Sequence, residues 1–301
     1  MSEKKVKIKT VNRSGKSLVK KALVVGAKKA KIIDKANIKD ANEKIKLEKA
    51  AALKEATESK EEVKKESVKA DKKYDLTIDV KDLLKAGCHL GHKVSKTNPK
   101  VKEYLYMARE GIQIFDLTKT ITNLEKACNF VYNAKRNGKQ IVLLGTKRQA
   151  REVVRRVAID AGVPYITDRW VGGTVSNWSE IKKNVKKLND ILTGFETGKY
   201  EQTSKKDLSE LNKEKVRLER MVGGLLKLDK VFDIIFVVDS GFEKTAVKES
   251  SEKGVKVVAL VDSDSNPEKV DFPITTNDDN VKSISIMVEE IGRAIKAAGV
   301  K

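Results

Sequence analysis

Two short glycine-containing turns carry the groups most able to bind phosphate. Gly145 and Thr146 end the apolar run QIVLLGT before a helical pattern, and Gly172 and Gly173 lie in DRWVGGTVSNW. Backbone N–H groups at the start of a helix favour anions. Either turn could therefore hold a nucleotide or sugar phosphate, grip a phosphate polymer, or only reverse the chain. No Gly-Lys-Ser/Thr loop and no G-x-G-x-x-G follows a strand pattern, which weighs against a nucleotide cofactor.

Catalytic and metal-ligating side chains are scarce. His89 and His92 are the only two histidines, and with Cys88 they offer three possible ligands within five residues. A structural zinc site needs a second, separated pair of ligands, and the sequence has none. No nucleophile elbow G-x-S-x-G is present either. We predict no catalytic residue, no cofactor and no metal. His89 and His92 are weak metal candidates, better suited to bonding their own loop or a partner's phosphate.

Basic side chains, in contrast, follow the first turn closely. Arg148, Arg151 and Arg155 fall on one face of the predicted helix, opposite the apolar positions Val153 and Val157. A basic row opposite a core face is also typical of an ordinary solvated surface, so this alternative stays open.

A second basic stretch, TNPKVKEYLYMAREGIQIFDLTKT, interleaves its charges with Tyr104 and Tyr106. Basic and aromatic side chains together suit RNA phosphates and unstacked bases, although tyrosines in a strand pattern are more often part of a core. The candidate RNA-binding residues are Lys93, Lys96, Lys100, Lys102, Arg109, Lys147, Arg148, Arg151, Arg155 and Arg169.

The overall composition indicates a polyanionic partner. The 301 residues include 63 Lys and Arg against 43 Asp and Glu, a formal net charge of +20. Such a charge attracts nucleic acid or an anionic membrane surface. No apolar run approaches the roughly 20 residues of a membrane span, and two distant cysteines fit a reducing compartment. We expect a cytoplasmic protein with no membrane partner that does not form homo-oligomers.

Residues 1–73 differ from the rest of the chain. They hold 23 Lys and Arg against 11 Asp and Glu, with no proline, cysteine or aromatic residue. Such a segment has few groups that could offset the entropy of ordering. We predict a disordered basic extension, which either tethers a polyanion or only raises solubility.

Five apolar runs predict the strands of one sheet. They are QIVLLGT, VPYIT, DIIFVVD, VKVVALVD and FPIT. Near-continuous apolar runs indicate strands buried on both faces, hence parallel pairing. Helical patterns fill the gaps, and one of them makes Cys128 a core thiol. The predicted fold is a doubly wound, flavodoxin-like α/β domain over residues 74–177 and 230–301.

Residues 178–229 interrupt this alternation with two heptad-like patterns. The apolar positions are Ile181, Val185, Leu188, Leu192 and Phe195, then Leu208, Leu211, Leu218, Val222 and Leu225. They predict an antiparallel coiled-coil hairpin; ordinary helices packed on the sheet are the alternative. The preceding loop would orient this hairpin. We expect Gly172 and Gly173 to permit its turn, Asn177 or Ser176 to cap the helix, and Trp170 to anchor the loop.

Several phrases together resemble one family. LLKAGCHLGH, NPKVKEYLYMAREGIQIFDLTKT, LLGTKRQAR, RWVGGTVSNW and VDFPITTNDD occur in the order found in small-subunit ribosomal protein two of bacteria. The resemblance implies a five-stranded parallel α/β domain with an inserted coiled-coil hairpin. It also implies a non-catalytic protein that binds 16S ribosomal RNA near the head–body junction, joins the subunit late, and helps dock large RNA-binding protein one.

The departures from the family pattern are local, with one exception. Thr97 stands where an aromatic residue often precedes Asn-Pro, and Phe232 and Lys256 stand where prolines are common. The long N-terminal segment is unlike the usual short N-terminus, so the resemblance implies no role for it.

Overall fold

Helices and strands alternate along the chain after its N-terminal segment. The computed structural model describes residues 73–201 and 204–299, so the predicted extension lies outside the described residues except for Lys73. The helices are α1 (Val80–Ala86), α2 (Leu117–Arg136), α3 (Arg151–Asp160), α4 (Trp178–Glu196), α5 (Lys205–Val222), α6 (Lys244–Glu252) and α7 (Val281–Gly299). The strands are β1 (Leu90–Lys93), β2 (Leu105–Arg109), β3 (Ile112–Phe115), β4 (Ile141–Leu144), β5 (Tyr165–Ile166), β6 (Ile234–Val237), β7 (Lys256–Val261) and β8 (Phe272–Thr275).

The main sheet is parallel and contains the five predicted strands. Their order is β5-β4-β6-β7-β8, which is the flavodoxin-like order with its reversal between β4 and β6. Every residue of β4 and β6 is buried and apolar, because helices cover both faces of the sheet. The prediction of a five-stranded parallel sheet is confirmed.

Two apolar cores lie on the two faces of this sheet. One contains Leu124 and Cys128 of α2, Val154 of α3 and Ile291 of α7. Burial raises the pKa of the Cys128 thiol, and Glu290 adds to the effect. Cys128 is therefore a core thiol, as its helical spacing predicts.

The second core joins α6 to the inner ends of α4 and α5. Ile181, Val185 and Leu188 of α4 are buried in it with Leu218 and Val222 of α5. Leu192 and Phe195 are only partly buried, and Ile191 is buried beside them. The inner halves of the helix pair thus pack on the sheet.

Helices α4 and α5 also contact each other directly. The Lys187 ammonium lies 2.7 Å from Glu214 across the pair. Lys215 interrupts the apolar pattern, but its ammonium lies 5.3 Å from the ring centre of Phe195, and a cation over an aromatic face is favourable. Leu208 and Leu211 are half-buried.

A second, antiparallel sheet of three strands is not among the predicted elements. Its order is β1-β3-β2. It lies against the loop after β7, where the His92 N–H donates to the Ser263 hydroxyl at 2.8 Å. Gly91 is needed for this approach, since a Cβ there would lie 2.9 Å from the same oxygen.

The outer edge of the parallel sheet is covered by the chain that follows α5. The 3₁₀ turn Gly223–Leu225 lies so close to β5 that a Cβ on Gly224 would be 2.1 Å from the Tyr165 carbonyl oxygen. Covering an edge strand in this way blocks its pairing with other chains.

Candidate nucleic-acid interface

The anion-binding groups of the Gly145–Thr146 turn are occupied from within. The Thr146 N–H donates to Glu243 Oε1 at 3.2 Å, and its hydroxyl donates to the same oxygen. Glu243 is 5% exposed, and burial raises the pKa of its carboxyl group. Gly145 is needed for packing, because a Cβ there would lie 2.8 Å from Val154 Cγ2. An internal carboxyl group therefore closes this turn.

Lys147 lies in a cluster of aspartates. Its ammonium is 2.9 Å from Asp239, 2.7 Å from Asp278 and 2.6 Å from Asp279, and its side chain is only 13% exposed. Burial acts to lower the pKa of Lys147, but the aspartates, led by Asp278, outweigh it and raise the pKa. Of the predicted RNA-binding residues, Lys147 is thus poorly placed to reach a phosphate.

This cluster stands at the carboxyl ends of the parallel strands. Lys147 follows β4, Asp239 follows β6, and Asp278 follows β8. In flavodoxin-like sheets ligands bind outside these strand ends at the point where the strand order reverses. Here the crevice is filled by the protein's own charges.

His92 connects the three-stranded sheet to the same cluster. Its Nδ1 lies 3.1 Å from Asp262 and its Nε2 lies 3.4 Å from Asp279. The contact with Asp262 raises the pKa of His92 to about 9, against the effect of burial. His89 is half-buried. Within residues 73–201 and 204–299, no group of three or more His, Cys, Asp or Glu side chains is arranged to hold a metal ion.

The predicted arginine row lies beside β5. Arg148 is exposed in the turn before α3, so only Arg151 and Arg155 share a helix face. Arg151 Nε donates to the Thr146 carbonyl at 2.8 Å, and its terminal nitrogen to the Asp168 carbonyl at 3.2 Å. Arg155 donates to the Tyr165 hydroxyl at 3.3 Å. These arginines combine contacts to the sheet edge with solvent-exposed charge, and the exposed Arg169 adjoins them.

The second basic group surrounds the three-stranded sheet. All of its predicted members are exposed: Lys93, Lys96, Lys100, Lys102 and Arg109. Lys100 is paired with Glu268 at 2.6 Å. Tyr106 is 73% exposed, so here the strand pattern does not place the aromatic ring in a core. Exposed lysines and an exposed aromatic ring therefore occur on the three-stranded sheet and the turns beside it.

The loop of DRWVGGTVSNW converges on a carboxylate from α6. Trp170 is 7% exposed, and its indole N–H donates to Glu249 at 3.1 Å. Asn177 precedes α4 but makes no capping hydrogen bond with its side chain. Ser176 instead donates through its N–H and hydroxyl to Glu249. Asn177 therefore does not cap the helix with its side chain, and Glu249 binds the loop before the helix.

The two glycines of this loop differ. Gly173 has a φ of +93°, whereas Gly172 has open space around its Cβ position and no positive φ. A positive φ, which favours glycine, therefore distinguishes Gly173 from Gly172. We expect Gly173→Ala to lower the free energy of unfolding by about 1–2 kcal/mol, since L-residues are strained at such a φ. Gly172→Ala should stay within about 0.5 kcal/mol. Urea unfolding of both variants measures this; equal losses would contradict it.

Sequence comparisons with known proteins show the family of this chain. The family model for ribosomal protein S2 matches residues 83–298. Small ribosomal subunit protein uS2 of Oenococcus oeni is 38% identical over 218 residues, which cover 72% of this chain and 84% of that protein. The protein of the same name from Coprothermobacter proteolyticus is 39% identical over 218 residues, covering 72% and 81%. That of Treponema pallidum is 36% identical over 222 residues, covering 74% and 76%. The chain therefore belongs to the ribosomal protein S2 family.

Proposed function

We propose that this protein is a structural component of the cytoplasmic small ribosomal subunit, where it binds 16S rRNA and neighbouring ribosomal proteins and supports late assembly and translation. The family match over residues 83–298 carries this proposal, and the formal charge of +20 agrees with an RNA partner. The protein does not form homo-oligomers.

Two surfaces provide the RNA contacts in this proposal. The first is formed by Arg148, Arg151, Arg155 and Arg169 beside β5; the second by the exposed lysines and Arg109 around the three-stranded sheet. Lysine and arginine side chains neutralise phosphates and release counterions, which makes binding salt-dependent. Tyr106, exposed among these charges, can stack on an unpaired base.

Helices α4 and α5 form a coiled-coil hairpin that reaches separate RNA helices or neighbouring proteins. Their inner ends are fixed in the second core, while their middle parts contact each other through pairs such as Lys187 and Glu214. Among the protein neighbours we include large RNA-binding protein one. The basic segment 1–73, with its excess of lysine, adds a further RNA contact that is independent of sequence.

The protein performs no reaction in this proposal. The rival is an enzyme that binds nucleotides or sugar phosphates at its two glycine turns. The carboxyl groups of Glu243 and Glu249 accept hydrogen bonds from N–H groups of both turns, which weighs against that rival. A thermal-shift screen of nucleotides and sugar phosphates tests it; saturable, salt-resistant stabilisation would support the enzyme.

Co-sedimentation with small ribosomal subunits tests the proposed function. We expect the full-length protein to pellet with subunits that lack it at physiological salt. For the isolated protein and 16S rRNA, the logarithm of the binding constant should fall linearly with the logarithm of the salt concentration, because binding releases counterions. Failure to pellet at physiological salt would overturn the proposal.

A further inference from the structure

Five hydrogen-bond donors of the loop between β5 and α4 converge on the carboxylate of Glu249. Oε1 accepts from the Val175 N–H at 2.9 Å, the Ser176 N–H at 2.8 Å and the Ser176 hydroxyl at 3.0 Å. Oε2 accepts from the Trp170 indole at 3.1 Å and the Gly173 N–H at 3.2 Å. Both carboxylate oxygens of Glu249 therefore accept more than one hydrogen bond from the loop.

This arrangement is an anion site filled by the protein's own side chain. Successive backbone N–H groups that point to one spot form a concave site that binds phosphates and other anions. Burial acts to raise the pKa of Glu249, but the N–H groups of Ser176 and Val175 outweigh it and lower the pKa. Hydrogen bonds to a carboxylate are the stronger kind, because the acceptor is charged.

The loop leads directly into the helix pair. The Asn177 N–H donates to the Gly173 carbonyl at 2.8 Å, and α4 begins at the next residue without a side-chain cap. Glu249 belongs to α6, whose buried residues Ala246, Val247 and Ser250 hold that helix on the sheet. The carboxylate therefore connects the start of α4 to a fixed element of the domain.

We propose that Glu249 is a positioning residue: its carboxylate fills the loop of residues 170–176 and thereby sets the direction of helices α4 and α5 relative to the sheet. In its consequence for ribosome binding, this inference rests on the proposed function. The positioning itself is a property of the isolated protein, so it is tested there.

Replacing the carboxylate by a free anion provides the first test. In Glu249→Ala the five donors lose their acceptor, and formate should enter the site. We expect formate to raise the Tm of this variant saturably and to shift the Trp170 indole N–H resonance; Trp178→Phe assigns that resonance. Glu252→Ala, one turn further along α6 and exposed, is the matched control and should not respond. An equal response of the control and of Glu249→Ala would overturn the filled-site interpretation.

Distance measurements provide the second test and do not depend on RNA. Spin labels at Ser209→Cys on α5 and Lys126→Cys on α2 report the direction of the helix pair, and both sites are exposed. The native Cys88 and Cys128 are fully buried, so they should not be labelled. We expect Glu249→Gln to widen or shift the distance distribution, because its amide N–H₂ opposes the loop N–H groups. Glu252→Gln should leave it unchanged. A lowered Tm with an unchanged distribution would make Glu249 merely stabilising and overturn positioning.

Subunit incorporation separates the inference from the proposed function. If the wild type pellets with subunits and Glu249→Gln pellets less, positioning serves assembly. If Glu249→Gln changes the distances but pellets as the wild type does, the consequence for the ribosome is overturned. If the wild type itself fails to pellet, the proposed function is overturned, while the distance measurement still decides the positioning role.

Discussion

Gly224→Ala is expected to lower the free energy of unfolding by about 2–3 kcal/mol, the upper range for overpacking a well-packed region. The added Cβ would lie 2.1 Å from the Tyr165 carbonyl oxygen and 2.9 Å from Tyr165 Cδ2. The nearest obstacle is the backbone of β5, which cannot move without disturbing its pairing with β4. Urea unfolding, followed by circular dichroism, measures the loss.

The neighbouring glycine supplies the control. Gly223 has a helical φ of −57°. A Cβ added to Gly223 would have Glu219 Cβ as its nearest neighbour, at 3.8 Å. Gly223→Ala should therefore leave stability within about 0.5 kcal/mol or raise it slightly. If the two variants unfold at the same urea concentration, the turn does not need its close contact with β5, and the edge is covered in some other way.

The five-stranded sheet could be predicted because its strands are marked in the sequence. A strand buried on both faces, such as β6, is apolar at every position, and its short length and β-branched residues distinguish it from a buried helix. The shortest strand among the described residues is β5, which has two residues. It lies at the sheet edge and pairs only with β4.

The three-stranded sheet left no comparable signal. Tyr106, Met107 and Ile112 are exposed on it although they are large and apolar. Its strands contain charged and apolar residues on the same face, so neither continuous apolarity nor clean alternation marks them. The sheet also contacts distant loops, for example where the His92 N–H donates to the Ser263 hydroxyl, and such contacts leave no local sequence pattern.

The cluster of aspartates around Lys147 could be predicted only in part from the sequence. Asp239, Asp262 and Asp278 each follow a predicted strand, and parallel strands bring their carboxyl ends to one edge; that signal could have placed them beside Lys147. The partners of the glycine turns could not be found this way. Glu243 immediately precedes α6 and Glu249 lies on it. Both are about seventy residues or more along the chain from their donors, and only the packed fold brings them there.

Reversing three arginine charges is expected to give the largest loss of ribosome binding. In Arg148→Glu/Arg151→Glu/Arg155→Glu we expect the affinity for 16S rRNA to fall at least roughly tenfold at physiological salt. The slope of log affinity against log salt should fall by about 3 if each arginine contacts one phosphate. Filter binding across a salt series and co-sedimentation with small subunits measure both effects.

A second triple variant separates location from net charge. Lys244, Lys248 and Lys253 are exposed on and just after α6, so reversing all three changes the net charge by the same amount. We expect this control variant to lose far less affinity and to keep most of the slope of log affinity against log salt. Equal losses in the two triple variants would mean that RNA responds to overall charge, and the arginine row would lose its special role.

The hydrogen bonds of the row decide which single variant is most informative. Arg151 donates to the Thr146 and Asp168 carbonyls, and Arg155 donates to Tyr165, so changing either of them disturbs the sheet edge as well as the charge. Arg148 is exposed in a turn, and Arg148→Glu should lower the salt slope by about 1 with unchanged urea unfolding. If instead only Arg151→Glu and Arg155→Glu weaken incorporation, and both lose circular-dichroism signal, the row is structural and RNA is bound elsewhere.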